Sequence, residues 1–286
     1  MRPESKTAYF CCGARMEDAQ SKHPVCNDTY AKVFMKNEGH EVFERFKPFK
    51  DAKVSNATRH RIIDDLVREE LKRDPESLVI IIGAGFDTRA YRFDSGIWIE
   101  LDDPELIEYK NECLPVSECT NPLRRIPFDM TGHSLPAGLS EFRTDKPVVI
   151  IIEGVFIYLT DETISQMIRS IRELFPEHLL FCDLQTLKCF REFNVKFQEV
   201  LKGFGAALCI TSDMPENVFL SHGYRIRWKT SILVKTTQYA RLSPRQLLIK
   251  LALNTFLRNV RDGYSIYCFE YGSFREEINR KVETPI

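Results

Sequence analysis

The sequence predicts an α/β fold built on a doubly wound, mainly parallel sheet. Between residues 78 and 183, short runs of apolar residues alternate with amphipathic helical segments. The runs lack the polar alternation of a strand with one face in water, which indicates strands that are buried on both faces. The first four runs end at glycine or at an acidic residue, as expected where parallel strands meet a ligand crevice.

The composition is that of a globular protein without an excess of positive charge. The 286 residues are 43% hydrophobic and carry a formal net charge of -1, so nothing indicates nucleic acid as a partner. The nine cysteines include no C-x-x-C spacing, which favours reduced thiols over disulfides or a zinc site. No apolar run approaches the roughly 18 residues of a membrane span. We therefore expect a cytoplasmic protein that binds no metal, nucleic acid or membrane.

Residues 1–55 are predicted to form a mainly helical extension that precedes the sheet. Tyr30, Val33 and Phe34 share one helical face, and Asp28 or Thr29 can cap that helix. We interpret the extension as a lid over the ligand cleft. The alternative is a solvated helical appendage, because chain termini are often mobile. Residues 56–286 are assigned to one α/β domain.

An amphipathic helix is predicted over residues 58–72, with Ile62, Ile63 and Val67 on its apolar face. Arg59 and Arg61 lie near its predicted start, where a positive charge is slightly unfavourable. A carboxylate partner would compensate, because it matches the planar guanidinium group. The alternative is that both arginines point into water, as surface arginines often do.

The first buried strand, Leu78–Ile82, leads into a glycine turn. Gly83 and Gly85 permit a tight turn and the close approach of a ligand, because neither carries a Cβ atom. The dinucleotide fingerprint G-x-G-x-x-G requires a third glycine where this chain has Thr88, which disfavours NAD. No Lys-Ser or Lys-Thr pair follows, so a P-loop is also disfavoured. The turn either binds another nucleotide-type ligand or is purely structural.

Asp102 follows the second predicted strand, residues 97–101. Nucleotide-binding α/β folds place an acidic residue roughly 20 positions after the first glycine, where it accepts hydrogen bonds from ribose hydroxyls. Asp102 is therefore the candidate ribose ligand. The alternative is that it caps the helix predicted over residues 104–114, because aspartate is a preferred cap and Pro104 suits a first helical turn.

The third and fourth predicted strands also end on acidic residues. Residues 124–128 are followed by Asp129, and the apolar strand Val148–Ile152 is followed by Glu153. Ligands of open parallel sheets bind at the carboxyl ends of the strands. We therefore expect these two acids, the glycine turn and Asp102 to converge on one cleft.

The C-terminal half continues the alternation and then changes direction. A final pair of strands is expected to form an antiparallel edge of the sheet. The elements predicted here are a helix over residues 161–174, a fifth strand over 179–182, a helix over 188–201, a sixth strand after Gly223, a helix over 245–260 and a last strand over Tyr264–Tyr271.

Four segments, in this order, resemble one known family: VIIIGAGFDTRAYRF, IELDDPELIEYK, FDM and IIEGVFIYLT. They are similar to the leucine carboxyl methyltransferase-like family of S-adenosylmethionine-dependent methyltransferases, and in particular to its microbial branch of small-molecule O-methyltransferases. The N-terminal TAYFCCGARMEDAQ and the later RHRIID also resemble the opening of that family. The match covers roughly residues 7 to 165.

This resemblance implies a class I methyltransferase fold, with a seven-stranded sheet whose last strand is antiparallel. It also implies S-adenosylmethionine as the cofactor. Gly83 and Gly85 would pass beneath the methionine part of the cofactor, and Asp102 would hold the ribose hydroxyls.

The resemblance also implies roles for five further residues. Asp129 and Met130 would border the adenine, and Glu153 would lie near the methionine moiety. Either Arg59 or Arg61 would pair with the cofactor carboxylate.

The expected activity is methyl transfer to a carboxylate or hydroxyl oxygen of a small molecule. A carboxylate is ionised at neutral pH and needs no general base, whereas a hydroxyl needs one. The six histidines form no grouping typical of a base, so no residue is assigned as one. Glu153 and Tyr158 are expected to position the reactants.

Three alternatives stay open from the sequence. The acceptor could be a protein C-terminus, or the chain could bind the cofactor without catalysis. A dinucleotide oxidoreductase is the third alternative, and Thr88 weakens it.

Overall fold

A computed structural model of the chain describes residues 3–129, 135, 137–192, 195–239 and 261–273. These residues form one seven-stranded sheet in the order β3-β2-β1-β4-β5-β7-β6. The first five strands run parallel to one another, and β7 is antiparallel to both β5 and β6. The strands are β1 (Leu78–Ile82), β2 (Ile97–Asp102), β3 (Leu123–Pro127), β4 (Val148–Ile152), β5 (His178–Gln185), β6 (Arg225–Ser231) and β7 (Tyr264–Tyr271). The predicted sheet, including its antiparallel last strand, is confirmed.

Helices cover both faces of the sheet and precede it in the chain. They are α1 (Pro3–Lys6), α2 (Ala8–Ala19), α3 (Asn37–Glu44), α4 (Lys50–Arg73), α5 (Arg89–Arg92), α6 (Pro104–Cys113), α7 (Asp161–Leu174), α8 (Leu187–Glu192), α9 (Val195–Gly203), α10 (Asn217–Leu220) and α11 (Ile232–Tyr239). Within the described part of the chain, no helix is both long enough and apolar enough to cross a membrane.

The central strands have apolar packing on both sides, which explains their uninterrupted apolar sequences. In β1, Val79 and Ile81 belong to the same core as Ile63 of α4. Ile80, which points to the opposite face, belongs to a second core with Ile168 of α7. Successive side chains of a strand point to opposite faces, so a strand between two cores must be apolar at every position.

The strand order creates a ligand crevice. The chain passes outward from β1 through β2 to β3, and then returns to place β4 on the other side of β1. Ligands of open α/β sheets bind at the carboxyl ends of the strands where the order reverses. The carboxyl ends of β1, β2 and β4 therefore form the floor of a crevice.

Helix α4 corrects one expectation. It begins at Lys50, not near residue 58, so Arg59 lies in its third turn and Arg61 in its fourth, and neither is at its start. The unfavourable macrodipole interaction predicted for these arginines therefore does not arise, because that effect is confined to the first turn. The predicted boundary at residue 55 also falls within this continuous helix.

The other predicted helices differ in detail. The helix predicted over residues 188–201 corresponds to α8 and α9, and the one predicted over 245–260 lies outside the described residues. Of the N-terminal helices, α2 packs against α3 and α4. Its first residue, Ala8, lies above the glycine turn, where a Cβ atom on Gly85 would be 3.4 Å from the Cβ atom of Ala8. The extension thus covers the crevice, and its action as a moving lid stays a prediction.

Candidate cofactor-binding site

A cavity of about 840 Å³ opens at the carboxyl ends of the strands, under the N-terminal helices. Its size is within the range of small-molecule sites. Five of the predicted cofactor-binding residues line it together: Arg59, Gly83, Gly85, Asp102 and Glu153. The convergence predicted from the strand ends is therefore present for these residues.

The glycine turn has a backbone that requires glycine. Gly83 and Gly85 have φ angles of +71° and +47°. These values lie in the left-handed region, which other residues adopt at a cost. The backbone N–H of Gly85 donates a hydrogen bond to Asp102 Oδ2 at 2.6 Å, so the turn is held against the end of β2.

Two adjacent acids at the end of β2 have different partners. The second carboxylate oxygen of Asp102 accepts a hydrogen bond from the backbone N–H of Asp103 at 2.7 Å. Asp103, in turn, caps α6 by accepting a hydrogen bond from the backbone N–H of Glu105 at 3.0 Å. The cap is thus Asp103, and the alternative role considered for Asp102 is wrong. Burial raises the pKa of Asp102 above its ordinary value.

Arg59 is buried beside the cavity among four partners. Its Nε donates to Glu153 Oε1 at 2.9 Å. Its Nη1 donates to the Tyr264 hydroxyl at 2.8 Å and lies 3.3 Å from Asp183 Oδ2. Its Nη2 lies 3.6 Å from Cys11 Sγ. The guanidinium is therefore fixed on two of its nitrogens by acidic and phenolic oxygens.

Two of the predicted cofactor-binding residues, Arg61 and Asp129, are not brought to the cavity, and a third cannot be placed. Arg61 lies on the outer side of α4 and donates to Asp65 Oδ1 at 2.8 Å and to the carbonyl oxygen of Val25 at 2.9 Å. Asp129 is exposed and does not line the cavity, although Phe128 does. Met130 lies outside the described residues.

Two residues that contact Arg59 are absent from the predicted site. Asp183 belongs to β5, which extends past its predicted end, and Tyr264 is the first residue of β7. Asp183 Oδ1 also accepts the backbone N–H of Gly154 at 2.6 Å. Asp183 follows an apolar run, as Asp102 and Glu153 do, so the same pattern could have identified it.

A buried arginine lies in the middle of a cluster of potential metal ligands. His60, Asp87 and Glu153 place ligand atoms within 4.8 Å of one another. The Arg89 guanidinium contacts all three, with Nη2 at 2.8 Å from Glu153 Oε2 and 2.9 Å from His60 Nδ1. Its positive charge therefore balances the two carboxylates, and we interpret the cluster as a binding pocket for this arginine.

The charges around Glu153 keep it ionised. Burial alone would raise its pKa, but the charges of Arg89 and Arg59, together with the hydrogen bond to His60, outweigh burial and hold the pKa of Glu153 well below its ordinary value. Burial and the neighbouring Arg89 lower the pKa of His60, which favours a neutral imidazole. Glu153 thus carries a negative charge at the floor of the cavity.

The ion-pair network extends from this cluster to the N-terminal segment. Asp64 accepts hydrogen bonds from Arg89 Nε at 2.7 Å and from Arg92 Nη1 at 2.6 Å. Thr88, which replaces the third glycine of a dinucleotide site, donates its hydroxyl to Asp28 Oδ1 at 2.7 Å. Asp28 also pairs with Arg15 of α2 at 2.9 Å. The residues after the glycine turn therefore anchor the extension to the sheet.

Tyr158 lies in the segment after β4 and lines the cavity. Its hydroxyl donates a hydrogen bond to Thr7 Oγ1 at 3.1 Å, just before α2 begins. Burial raises the pKa of Tyr158, so its side chain is a neutral phenol at physiological pH. It joins the loop after β4 to the extension, and its predicted role in positioning the reactants stays a prediction.

Several helices contribute apolar side chains to the lining of the cavity. Helix α2 contributes Phe10, α8 contributes Phe190, α9 contributes Phe197 and Leu201, and α11 contributes Leu233. The cavity therefore has an acidic part at the strand ends and an apolar part among helices.

Comparison with known protein families identifies one that matches this chain. The model of the family described as leucine carboxyl methyltransferase matches residues 9–172. The chain belongs to the leucine carboxyl methyltransferase family. The match contains Arg59, both turn glycines, Asp102 and Glu153, and it confirms the family predicted from the four sequence segments.

Curated proteins similar to this member of the leucine carboxyl methyltransferase family are S-adenosylmethionine-dependent methyltransferases. The protein dpfgK of Gibberella zeae is 27% identical over 189 residues, 60% of this chain and 61% of its own length. A putative methyltransferase of Mycolicibacterium smegmatis is 30% identical, over 54% of this chain and 57% of its own length. The tetracenomycin polyketide synthesis O-methyltransferase TcmP of Streptomyces glaucescens is 24% identical, over 68% of this chain and 69% of its own length. The chain thus spans about 60% of the length of the first two relatives.

Solved structures resemble the leucine carboxyl methyltransferase fold described here. A DUF574 family protein from Streptomyces avermitilis has a TM-score of 0.58 at 12% identity, covering 89% of this chain and 99% of its own. A putative methyltransferase from Thermobifida fusca has a TM-score of 0.57 at 11% identity, covering 88% of this chain and 96% of its own. With the observed sheet order, these similarities identify the fold as that of a class I methyltransferase.

Proposed function

We propose that the protein transfers the methyl group of S-adenosylmethionine to an oxygen atom of a small molecule. The observation that carries this proposal is the presence of Arg59, the glycine turn and Asp102 around one cavity. Membership of the family supports S-adenosylmethionine as the cofactor. The relative named as an O-methyltransferase supports oxygen as the acceptor atom. All nine cysteines are free, which supports a reducing compartment such as the cytoplasm.

The donor set suits two polar parts of this cofactor, the carboxylate and the ribose. A guanidinium group such as that of Arg59 suits its carboxylate, and a carboxylate such as that of Asp102 suits two ribose hydroxyls. Gly83 and Gly85 present backbone without side chains, so a ligand can approach the turn closely. Glu153 supplies a negative charge near the remaining part of the site.

The charge of the cavity favours a cation. Among the described residues, seven carboxylates line it, and two of them pair with Arg89 behind the lining. The other five still outnumber the two lining arginines, Arg15 and Arg59. A cleft lined by one sign of charge attracts ligands of the opposite sign. The cavity is thus more favourable for a positively charged sulfonium than for an anionic dinucleotide.

The residues of the chain contribute placement and the exclusion of water. When it is bound, the cofactor supplies an electrophilic methyl group on a sulfonium. Helix α2 covers the glycine turn. The hydrogen bond between Tyr158 and Thr7 joins the start of that helix to the segment after β4. Transfer to an oxygen nucleophile is accelerated by alignment and by a dry site. The apolar part of the cavity would hold the body of the acceptor, whose oxygen is a carboxylate or a hydroxyl.

Calorimetric titration tests the cofactor. We expect S-adenosylmethionine to bind with a dissociation constant on the order of micromolar, or about -8 kcal/mol, and NAD not to bind. The reason is that the site offers an acidic lining and lacks the third glycine of a dinucleotide turn. Binding of NAD, or of neither ligand, would contradict the proposal.

A pair of arginines on one helix tests how the cofactor is held. Replacing Arg59 with alanine should weaken cofactor binding by about 1.5 to 3 kcal/mol, the range for a charge-assisted hydrogen bond. Arg61→Ala is the matched control, because that side chain is 39% exposed and bonded to Asp65 outside the cavity. Calorimetry gives both affinities, and thermal unfolding checks that both variants fold. A larger loss for Arg61→Ala would show that the wrong arginine has been assigned.

A further inference from the structure

We propose that Tyr264 and Asp183 are positioning residues that orient Arg59 so that its Nη2 faces the carboxylate of the cofactor. This inference rests on the proposed function, because it assigns Arg59 to that carboxylate. Neither residue belongs to the segment that matches the family model, which ends at residue 172.

The Tyr264 hydroxyl joins an acid to the arginine. It donates a hydrogen bond to Asp183 Oδ2 at 2.7 Å and accepts one from Arg59 Nη1 at 2.8 Å. Arg59 Nη1 itself lies 3.3 Å from the same Asp183 oxygen, so the three groups form a closed triangle. A hydroxyl has one donor hydrogen, and here that hydrogen goes to the acid while the lone pairs face the arginine.

The two residues come from neighbouring strands, which fixes their relative position. Strands β5 and β7 pair antiparallel along their whole length, and Asp183 is opposite Ile266 in that pairing. Each residue projects from the sheet and not from a loop, so the triangle is held by the strand register. Sites built on sheet elements are more precise than sites built on loops.

Asp183 also fixes the loop that closes on the arginine from the other side. Its Oδ1 accepts the backbone N–H of Gly154 at 2.6 Å. Gly154 has a φ angle of +71°, and a Cβ atom there would lie 2.9 Å from Arg59 Nη2. The preceding residue, Glu153, accepts from Arg59 Nε at 2.9 Å. One aspartate therefore holds both the tyrosine and the loop that contact the guanidinium.

These contacts leave one nitrogen of Arg59 with neutral partners. Nη2 lies 3.6 Å from Cys11 Sγ, and 3.2 Å from the side-chain oxygen of Asn56 when that amide is oriented to satisfy its hydrogen bonds. Cys11, Asn56 and Arg59 all line the cavity. An anionic ligand in the cavity therefore meets Nη2 as a donor that no acid in the described part of the chain contacts directly.

Tyr264→Phe is the direct test, because it removes the hydroxyl and retains the ring. We expect the affinity for S-adenosylhomocysteine, which carries the carboxylate, to fall about 3- to 10-fold, the effect of one hydrogen bond. The affinity for 5′-methylthioadenosine, which lacks the carboxylate, should not change. Tyr271→Phe is the matched control, since it lies at the other end of β7 and does not line the cavity. It should change neither affinity.

A purely structural role for Tyr264 would lower both affinities equally, and that result would overturn the inference. In the Arg59→Ala background, Tyr264→Phe should have no further effect on S-adenosylhomocysteine, because the group that it orients is gone. An additive loss would also overturn it. Asp183→Asn gives a second variant and should show the same selective loss. Failure of the unmodified protein to bind either nucleoside would instead overturn the proposed function, and this inference with it.

Discussion

Replacing Asp102 with alanine should lower the affinity for S-adenosylmethionine by about 100-fold or more. The carboxylate is expected to accept hydrogen bonds from two ribose hydroxyls, and hydrogen bonds to charged groups contribute about 1.5 to 3 kcal/mol each. Loss of both corresponds to roughly 3 to 6 kcal/mol, and every 1.4 kcal/mol is tenfold in affinity. Asp102 also holds the backbone N–H of Gly85, so the turn itself loses a partner.

The neighbouring acid supplies the control for this experiment. Asp103→Asn keeps the cap of α6, because asparagine caps a helix as well as aspartate does. Its affinity for the cofactor should stay close to that of the unmodified protein. Titration calorimetry measures both variants, and thermal unfolding shows whether Asp102→Ala is folded. If the Asp103 variant lost affinity and the Asp102 variant did not, the ribose ligand would be Asp103.

Replacing Asp64 with alanine should lower the free energy of unfolding by about 3 to 5 kcal/mol, which is the cost of leaving a buried charge without its partner. Asp64 is fully buried and accepts hydrogen bonds from both Arg89 and Arg92. Burial alone would raise its pKa, but the guanidinium groups of Arg92 and Arg89 hold the pKa of Asp64 well below its ordinary value. Urea unfolding followed by circular dichroism measures the loss.

Asp65 is a matched control one residue further along α4. Its carboxylate pairs with Arg61 and Arg68 at the surface and is 36% exposed. Exposed ion pairs contribute about 0 to 1 kcal/mol, so Asp65→Ala should be close to neutral. Equal losses for the two variants would show that the buried network does not stabilise the fold.

The strands at the centre of the fold could be predicted to the residue. β1 and β4 have the predicted bounds because each lies between two cores, and burial on both faces requires an apolar residue at every position. The acids at the ends of β2 and β4 followed from the same pattern, since polar residues begin where the crevice opens. Local sequence therefore specified this part of the cavity.

The choice between Arg59 and Arg61 was also encoded in the sequence, although it was left open. Arg59 precedes Ile62 and Ile63 by three and four positions, so it shares their inward face. Residues two positions apart on a helix differ by about 200° in direction, which places Arg61 on the opposite side. The start of α4 could not be predicted from the sequence, because its first turns carry few apolar residues and Phe49 supplies no side-chain cap.

The ion-pair network could not be predicted from local pattern. Asp28 bonds to Thr88 and Asp64 bonds to Arg89, and the two residues of each pair lie 60 and 25 positions apart in the sequence. Tyr264 likewise reaches Arg59 across 205 positions of the chain. Such contacts depend on strand order and register, and neither hydrophobic periodicity nor turn chemistry reports them.

Glu153 has one carboxylate oxygen on Arg59 and the other on Arg89. The first arginine lines the cavity, and the second belongs to the buried core. Substitutions intended to simplify the core near Arg89 would therefore change an acid that lines the cavity, even where they improve packing. Attempts to make this protein more heat-resistant are best directed at the edge strand β6, which contributes no residue to the cavity lining.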